Sequence, residues 1–135
     1  MRIMAIDYGD TRTGVAVSDI SATLVGDAWV INCKKLNALA EIIINEAASR
    51  SVKRIIVGYP KNMDGSIGPR AKKCNTFAGL LRSLSDIETI LWDERLTTVS
   101  AHKILDTTGK FGKKRKQTLD ALAASIILES CLNSL

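Results

Sequence analysis

The chain has 135 residues, of which 46% are hydrophobic and 24% are charged. This length and composition fit one domain with a hydrophobic core, expected here over residues 1–135, and exclude a disordered chain. The net charge of +5 favours an anionic partner such as nucleic acid, while the aromatic content of 4% argues against a broad aromatic surface for stacking bases.

Cysteine usage and hydropathy indicate where the protein works. Cys33, Cys74 and Cys131 are odd in number and far apart, and none belongs to a C-x-x-C pair. They predict free thiols in a reducing cytosol rather than a zinc site or a disulfide framework. No apolar run reaches the length of a transmembrane helix, so we expect a cytoplasmic protein with no membrane partner.

The first half of the chain reads as three strands, a helix and a fourth strand. Residues 2–7 form an apolar run that ends in an acid, which is typical of a central strand covered on both faces. The valine-rich segment 13–18 follows after a short link, which predicts an antiparallel hairpin. A third strand is expected at 27–33, and apolar residues recur at helical spacing from Leu36. The β-branched run 54–58 then predicts a parallel neighbour, reached by a right-handed crossover.

The second half begins with a long segment of turn-forming residues. Residues 59–69 contain an Asp-Gly pair and two prolines, and connections of this length are usually functional or disordered. The elements expected after it are a helix from Arg70, a strand at 88–92, a third helix capped by Thr97 or Thr98, a basic loop at 107–116 and a fourth helix from about Gln117 to Leu132. The order β-β-β-α-β-α-β-α-α predicts an α/β fold. Its mixed five-stranded sheet starts antiparallel, continues with parallel strands and carries helices on both faces.

Acidic residues stand at the ends of two predicted strands. Asp7 closes the first strand, and the pair Asp93 and Glu94 closes the last. In open α/β sheets, ligands bind at the carboxyl ends of strands, so these acids can converge if their strands lie close together. Each acid taken alone could equally face solvent or cap a turn.

Asp120 is a further candidate because of its position on the last predicted helix. The residues three, four, seven and eleven positions later are Ala123, Ala124, Ile127 and Cys131, so Asp120 shares the buried stripe of that helix. We expect it in the first turn, where the helix dipole favours a negative charge. A carboxylate that faces a core is costly unless it is paired or bound to a metal.

Three converging carboxylates without histidine or cysteine partners suit a hard divalent ion, Mg²⁺ or Mn²⁺. In two-metal sites, the ions flank the attacking and leaving oxygens of a phosphodiester, and one carboxylate bridges them. The sequence therefore predicts a metal-dependent phosphodiesterase site. Its ligands would be Asp7, Asp120 and a member of the Asp93–Glu94 pair, with Asp7 as the bridging group.

Basic residues lie close to these acids in the sequence. A cationic run immediately before Asp120 would hold phosphates, although an ordinary solvated surface is as good an interpretation. Arg12 and Arg95 each follow a candidate ligand, where a guanidinium can bind phosphate or pair with an acid. Asn62 and Arg70 flank the turn-rich segment and either contact substrate or serve turn chemistry and a helix start. The cationic run comprises Lys110, Lys113, Lys114, Arg115 and Lys116.

Together, four stretches resemble the YqgF family of pre-16S rRNA nuclease and Holliday-junction-resolvase-like proteins, within the ribonuclease H-like superfamily. The resemblance spans essentially the whole chain, and its most specific parts are the loop after Gly58 and the Asp-Glu-Arg-Leu-Thr-Thr run. The stretches are Asp7-Tyr8-Gly9 with Arg12 and Gly14, residues 57–65 with 68–71, residues 93–98, and residues 113–116 with 120–124.

The resemblance implies a ribonuclease H-like fold with Asp7, Glu94 and Asp120 as the catalytic and metal-binding triad. It also implies a nuclease that uses Mg²⁺ or Mn²⁺ to hydrolyse structured RNA, with a role in maturing the 5′ end of precursor 16S rRNA. Ribosomal subunit precursors would then be partners. Asp10 departs from the small polar or basic residue expected at its position, and it adds negative charge near the site.

Three other functions stay open at this point. The same chemistry would serve a resolvase that cuts four-way, branched DNA. Asp-Tyr-Gly followed by Thr and Gly also resembles the phosphate loop of actin-like and sugar-kinase-like ATP-binding proteins, but those need two such domains to enclose a nucleotide. A non-catalytic RNA-binding or ribosome-assembly factor would bind RNA without cleaving it.

Overall fold

A five-stranded mixed sheet organises the protein in the computed structural model, which describes residues 1–62, 64–94 and 112–135, with side chains of the last helix described from residue 119. The strand order is β3-β2-β1-β4-β5, so β1 is central. The strands are β1 Arg2–Asp7, β2 Arg12–Ser18, β3 Val25–Asn32, β4 Val52–Tyr59 and β5 Glu88–Asp93, and the helices are α1 Leu36–Ser49, α2 Pro69–Leu84 and α3 Gly112–Asn133.

The strand pairing confirms the predicted sheet. β1 and β2 are antiparallel, with Asp7 opposite Gly14, and β2 and β3 are also antiparallel. β1 and β4 are parallel, as are β4 and β5. The carboxyl ends of β1, β4 and β5 therefore share one edge of the sheet, which is the edge predicted to carry the acids.

Two hydrophobic layers lie on opposite faces of this sheet, because successive side chains of a strand point to opposite sides. Met4 and Ile6 of β1 belong to the layer covered by α1 and α2, whereas Ile3 and Ala5 belong to the layer covered by α3. All four side chains have 0% exposure. Burial on both faces explains why the sequence of β1 is an uninterrupted apolar run.

The start of α3 corrects the sequence-based boundary. The helix was expected from about Gln117, after a basic loop at 107–116, but it begins at Gly112 and includes the basic residues 113–116. Asp120 is therefore the ninth residue of the helix and not part of its first turn. The expected dipole stabilisation of Asp120 is wrong, since that effect falls off within the first turn. Lysine and arginine are good helix formers. The neighbouring glycines nevertheless made the segment resemble a loop in the sequence.

Several expectations lie outside the described residues. They are the third helix with its Thr97 or Thr98 cap, the position of Arg95, the part of the basic loop that contains Lys110, and the side chains of Lys113, Lys114, Arg115 and Lys116.

The cysteines and helices agree with the expectations from composition. Cys74 and Cys131 are buried, Cys33 is half-buried, and all three are free thiols. Among the helices of the described ranges, none combines the length and apolar character that a membrane span requires.

Gly14 sets how closely α3 approaches the sheet. A Cβ atom built on Gly14 would overlap the backbone carbonyl of Asp120 and lie 3.4 Å from the backbone nitrogen of Ala121. The backbone of the helix therefore rests directly on β2 at this point. Gly9 has a different role, because its missing side chain leaves room for the carbonyl of Arg12 inside the hairpin turn.

Substituting Gly14→Ala should lower the free energy of unfolding by about 1–3 kcal/mol, since backbone atoms of α3 would have to move. Gly79→Ala is the matched control, because Gly79 lies inside α2 and a Cβ atom added to it would have no neighbour within 4 Å. That variant should gain about 0.5–1 kcal/mol from helix propensity. Urea unfolding measures both, and equal responses of the two variants would contradict the close contact between α3 and β2.

Candidate active site

Asp7 ends the central strand, where its half-buried carboxyl group meets other charges. Its pKa is raised from 3.8 to about 7. The main cause is burial, followed by the negative charge of Glu94; Arg70 acts in the opposite direction, and Asp120 raises the pKa further. The charged form of Asp7 is thus unfavourable in the protein alone, and a cation at this position would stabilise it.

Glu94 follows β5, and β4 lies between β5 and the strand that carries Asp7. A Cβ atom on Gly58 of β4 would come within 3.1 Å of the Glu94 Cδ and 2.8 Å of the Ile127 Cδ1. The missing side chain of Gly58 therefore gives Glu94 room over the intervening strand. Burial is also the main reason that the pKa of Glu94 is raised.

Gly58 was not singled out as a site residue from the sequence. The available signal was a glycine near the end of a buried β-branched strand, where a larger residue packs better and a glycine often marks a close approach. The sequence could not reveal that the approaching group is Glu94.

We call Asp7 and Glu94 the acid pair. Asp120 lies at its margin, where an arginine holds the Asp120 side chain. The Arg12 Nε donates to the Asp120 Oδ2 at 3.0 Å, and the two side chains are 33% and 27% exposed. The structure thus favours the interpretation of Arg12 as a partner of an acid. Within the described ranges, no three or more His, Cys, Asp or Glu side chains form a ready-made set of metal ligands.

Arg70 brings positive charge to the acid pair from the first turn of α2. Its Nη2 donates to the backbone carbonyl of Tyr8 at 3.0 Å, next to Asp7 in the chain. The guanidinium acts to lower the pKa of both Asp7 and Glu94. Arg70 therefore offsets part of the repulsion between the two carboxylates.

Asn62 organises the loop between β4 and α2. Its backbone N–H donates to the Ser66 carbonyl at 3.0 Å, and its Nδ2 donates to the Ser66 Oγ at 2.9 Å. Its carbonyl accepts from the Gly65 N–H at 2.8 Å. These bonds are the turn chemistry that the sequence offered as the alternative to direct substrate contact.

The remaining predicted site residues are Arg95 and the basic residues Lys113, Lys114, Arg115 and Lys116. Arg95 lies outside the described residues, and for the four basic residues only their place in α3 is described. Their contact with substrate stays a prediction.

The acid pair suits a divalent cation. Its donor atoms are carboxylate oxygens, which hard ions such as Mg²⁺ and Mn²⁺ prefer. The pKa of Asp7 stays raised although Arg70 acts to lower it. Asp7, Glu94 and Asp120 are the residues that would hold such an ion.

The raised pKa of Asp7 gives a pH dependence that can be measured in metal-free protein. A carboxyl group whose pKa rises on folding stabilises the fold at pH values below its pKa in the unfolded chain. This contribution is lost as the pH rises through its pKa in the folded protein. The window for Asp7 is pH 3.8 to about 7.

Asp7→Asn should therefore make the protein more stable than wild type, by a margin that grows across this window to about 2–4 kcal/mol above it. Urea unfolding in EDTA at several pH values measures the margin. Asp27→Asn, an exposed site distant in sequence, is the control and should show no such trend. If the free energies of unfolding of wild type and of the Asp7 variant changed with pH in the same way, this would contradict the raised pKa of Asp7.

Known proteins resemble this chain over nearly its whole length. The family model described as "RuvX: Holliday junction resolvase" matches residues 1–134. A protein of Halothermothrix orenii is 46% identical over 134 residues, covering 98% of this chain and 95% of the relative. One of Bacillus cytotoxicus is 42% identical over 139 residues, covering 99% of each. Both carry the name "Putative pre-16S rRNA nuclease".

Solved structures show the same fold at low sequence identity. Thermus thermophilus RuvC in complex with a Holliday junction substrate has a TM-score of 0.63 at 12% identity, covering 99% of this chain and 96% of RuvC. The fowlpox virus Holliday junction resolvase has a TM-score of 0.61 at 16% identity, covering 100% of both chains. These neighbours confirm the ribonuclease H-like fold. With the family model and the close relatives, they lead to one conclusion: the chain belongs to the RuvX (YqgF) family of Holliday junction resolvases, a family of enzymes that act on nucleic acid.

Proposed function

We propose that this protein is a divalent-metal-dependent endonuclease that hydrolyses phosphodiester bonds in structured RNA. Maturation of the 5′ end of precursor 16S rRNA is its proposed role, in keeping with the names of its relatives. The observation that carries the proposal is the placement of the Asp7 and Glu94 carboxyl groups beside one another at the carboxyl edge of the sheet, where their charges are mutually unfavourable.

Asp7, Glu94 and Asp120 would hold two divalent ions, Mg²⁺ or Mn²⁺. Asp7, at the end of the central strand, would be the ligand common to both ions. When bound, the ions supply activation of a water molecule and neutralise charge at the leaving oxygen. Arg12 positions Asp120 at the margin of the site, and Arg70 offsets part of the repulsion between Asp7 and Glu94.

Substrate binding involves the basic residues around this edge. We propose that Arg95 and the basic residues 113–116 of α3 contact phosphates, because they adjoin Glu94 and Asp120 in the chain. Asn62 contributes by shaping the loop before α2, and Arg70 can reach a phosphate from the first turn of that helix. The net charge of +5 supports an anionic substrate.

The partners in this role are precursor rRNA and precursors of the small ribosomal subunit, and the reaction takes place in the cytoplasm. Three free cysteines without a disulfide suit that reducing compartment.

A four-way DNA junction is the second candidate substrate. The matching family model is described as a Holliday junction resolvase, and the solved neighbour from Thermus thermophilus was captured with a Holliday junction. The same carboxylates would act on the phosphodiester of either nucleic acid.

Asp7→Asn should reduce metal-dependent cleavage by more than about a hundredfold, since loss of even an outer-shell partner costs 10- to 100-fold. Asp27→Asn is the control, because it removes an equal charge from an exposed ion pair with Arg50. Wild type and both variants are assayed on a precursor 16S rRNA fragment with Mg²⁺, with Mn²⁺ and with EDTA. Cleavage that survives the Asp7 substitution would contradict the proposed role of Asp7.

The same assay on a synthetic four-way junction separates the two substrates. Faster cleavage of the rRNA fragment supports rRNA maturation, and faster cleavage of the junction supports resolvase activity. Binding of RNA without cleavage in any metal would instead identify a non-catalytic assembly factor and would overturn the proposal.

A further inference from the structure

A groove runs beside the candidate active site, between the β1–β2 turn and the first turns of α2. It consists of two adjoining cavities of about 220 and 400 Å³, which share Tyr8, Asp10 and Lys73 as lining residues. Arg70 lines the first cavity and Lys72 lines the second. We call this feature the α2 groove.

The lining of the α2 groove combines cationic and aromatic side chains. Arg70, Lys72 and Lys73 supply the cationic groups from α2. Tyr8 supplies an aromatic ring, which stacks on the buried Phe77 with centroids 5.0 Å apart and planes at 26°. This stacking fixes the orientation of the half-buried tyrosine. Basic side chains together with an aromatic ring are typical of surfaces that bind single-stranded nucleic acid.

The α2 groove lies next to the candidate metal site. Tyr8 follows Asp7 directly in the chain, and Arg70 both lines the groove and donates to the Tyr8 carbonyl at 3.0 Å. Arg70 also acts on the pKa of Asp7 and of Glu94. A strand whose scissile phosphate lies at these two acids would therefore pass close to the groove.

Asp10 places a carboxylate inside this otherwise cationic groove. The Lys73 Nζ lies 3.2 Å from both carboxylate oxygens of Asp10. The Lys73 and Asp10 side chains are 58% and 68% exposed, so solvent and an incoming phosphate can both reach the pair.

We propose that the α2 groove holds a single-stranded segment of the substrate next to the cleaved bond, and that Asp10 competes with the substrate phosphate for Lys73. This inference rests on the proposed function, which supplies nucleic acid as the ligand and the acids as the place of cleavage. Asp10 thereby lowers the affinity of the groove for the strand. An exposed ion pair of this kind adds little to stability, so the pair can open when a phosphate arrives.

Binding of a fluorescent, unstructured RNA of about 12 nucleotides, measured by anisotropy in EDTA, tests the proposal without cleavage. Asp10→Asn should bind about three- to tenfold more tightly, because Lys73 becomes free for phosphate. The slope of log Kd against the logarithm of the salt concentration should also become steeper, by up to the amount expected for about one additional phosphate contact. A DNA strand of the same sequence should respond alike, since phosphates and ring faces are common to both.

Asp27→Asn is the matched control, because it removes the same charge from an exposed pair with Arg50, 3.2 Å long. It should change the affinity less than twofold. Lys73→Gln should weaken binding, and adding Asp10→Asn to that variant should have little further effect. If the Asp10 and Asp27 substitutions raised the affinity for RNA equally, net charge alone would explain the effect and the proposal would be overturned. An effect of Asp10→Asn that persists in the Lys73→Gln variant would also overturn it.

Blunt duplex RNA of equal length tests the single-strand assignment. Its affinity should not respond to Asp10→Asn, and an equal response on duplex and single strand would contradict that assignment. The outcome is separable from the nuclease assay. If the protein cleaves RNA but Asp10→Asn leaves the binding affinity unchanged, only the proposed role of the groove is contradicted. If Asp10→Asn raises the affinity but the protein does not cleave, only the proposed nuclease function is contradicted.

Discussion

The burial of two carboxyl groups, Asp7 and Glu94, is the constraint on which the rest of the site depends. Loss of solvent at the carboxyl edge of the sheet is the main cause that raises the pKa of each group, and the charge of Glu94 raises the pKa of Asp7 further. A fold gains nothing in stability from this arrangement, so it needs compensation from elsewhere. Arg70 supplies compensation from within the protein, and a divalent ion would add to it while gaining ligands of the type it prefers.

Two glycines allow the backbone to bring these acids together. Gly14 lets α3 rest on β2 at Asp120, and Gly58 leaves space for Glu94 over the strand that separates it from Asp7. A methyl group at either position would displace the acid beside it. The geometry of the site therefore depends on the absence of two side chains as much as on the presence of three carboxylates.

Local patterns predicted most of the fold. The apolar run of β1, the short link to β2 and the helical spacing from Leu36 predicted elements that the structure confirms, because each depends on neighbours in the chain. The start of α3 could not be predicted in this way. Its lysine-rich beginning next to glycines has the composition of a loop, and only the structure shows that it continues into the helix that covers β2.

The candidate site was predictable in its residue types but not in its contacts. Asp7 and the Asp93–Glu94 pair stood out because strands end there, and the family resemblance selected Glu94 from that pair. The pairing of Arg12 with Asp120, in contrast, joins residues 108 positions apart. Both Arg12 and Asp120 had other plausible roles in the sequence. The Asp10–Lys73 pair was equally hidden, since 63 residues separate its members and only the packing of α2 beside the hairpin brings them together.

The metal site can be located in a crystal soaked in Mn²⁺, because the anomalous signal of manganese identifies the ion without assumptions about its ligands. We expect manganese in contact with the carboxylates of both Asp7 and Glu94, with Asp120 turned from Arg12 toward the metal. Manganese bound only elsewhere, with the 3.0 Å contact between Arg12 and Asp120 unchanged, would contradict this expectation.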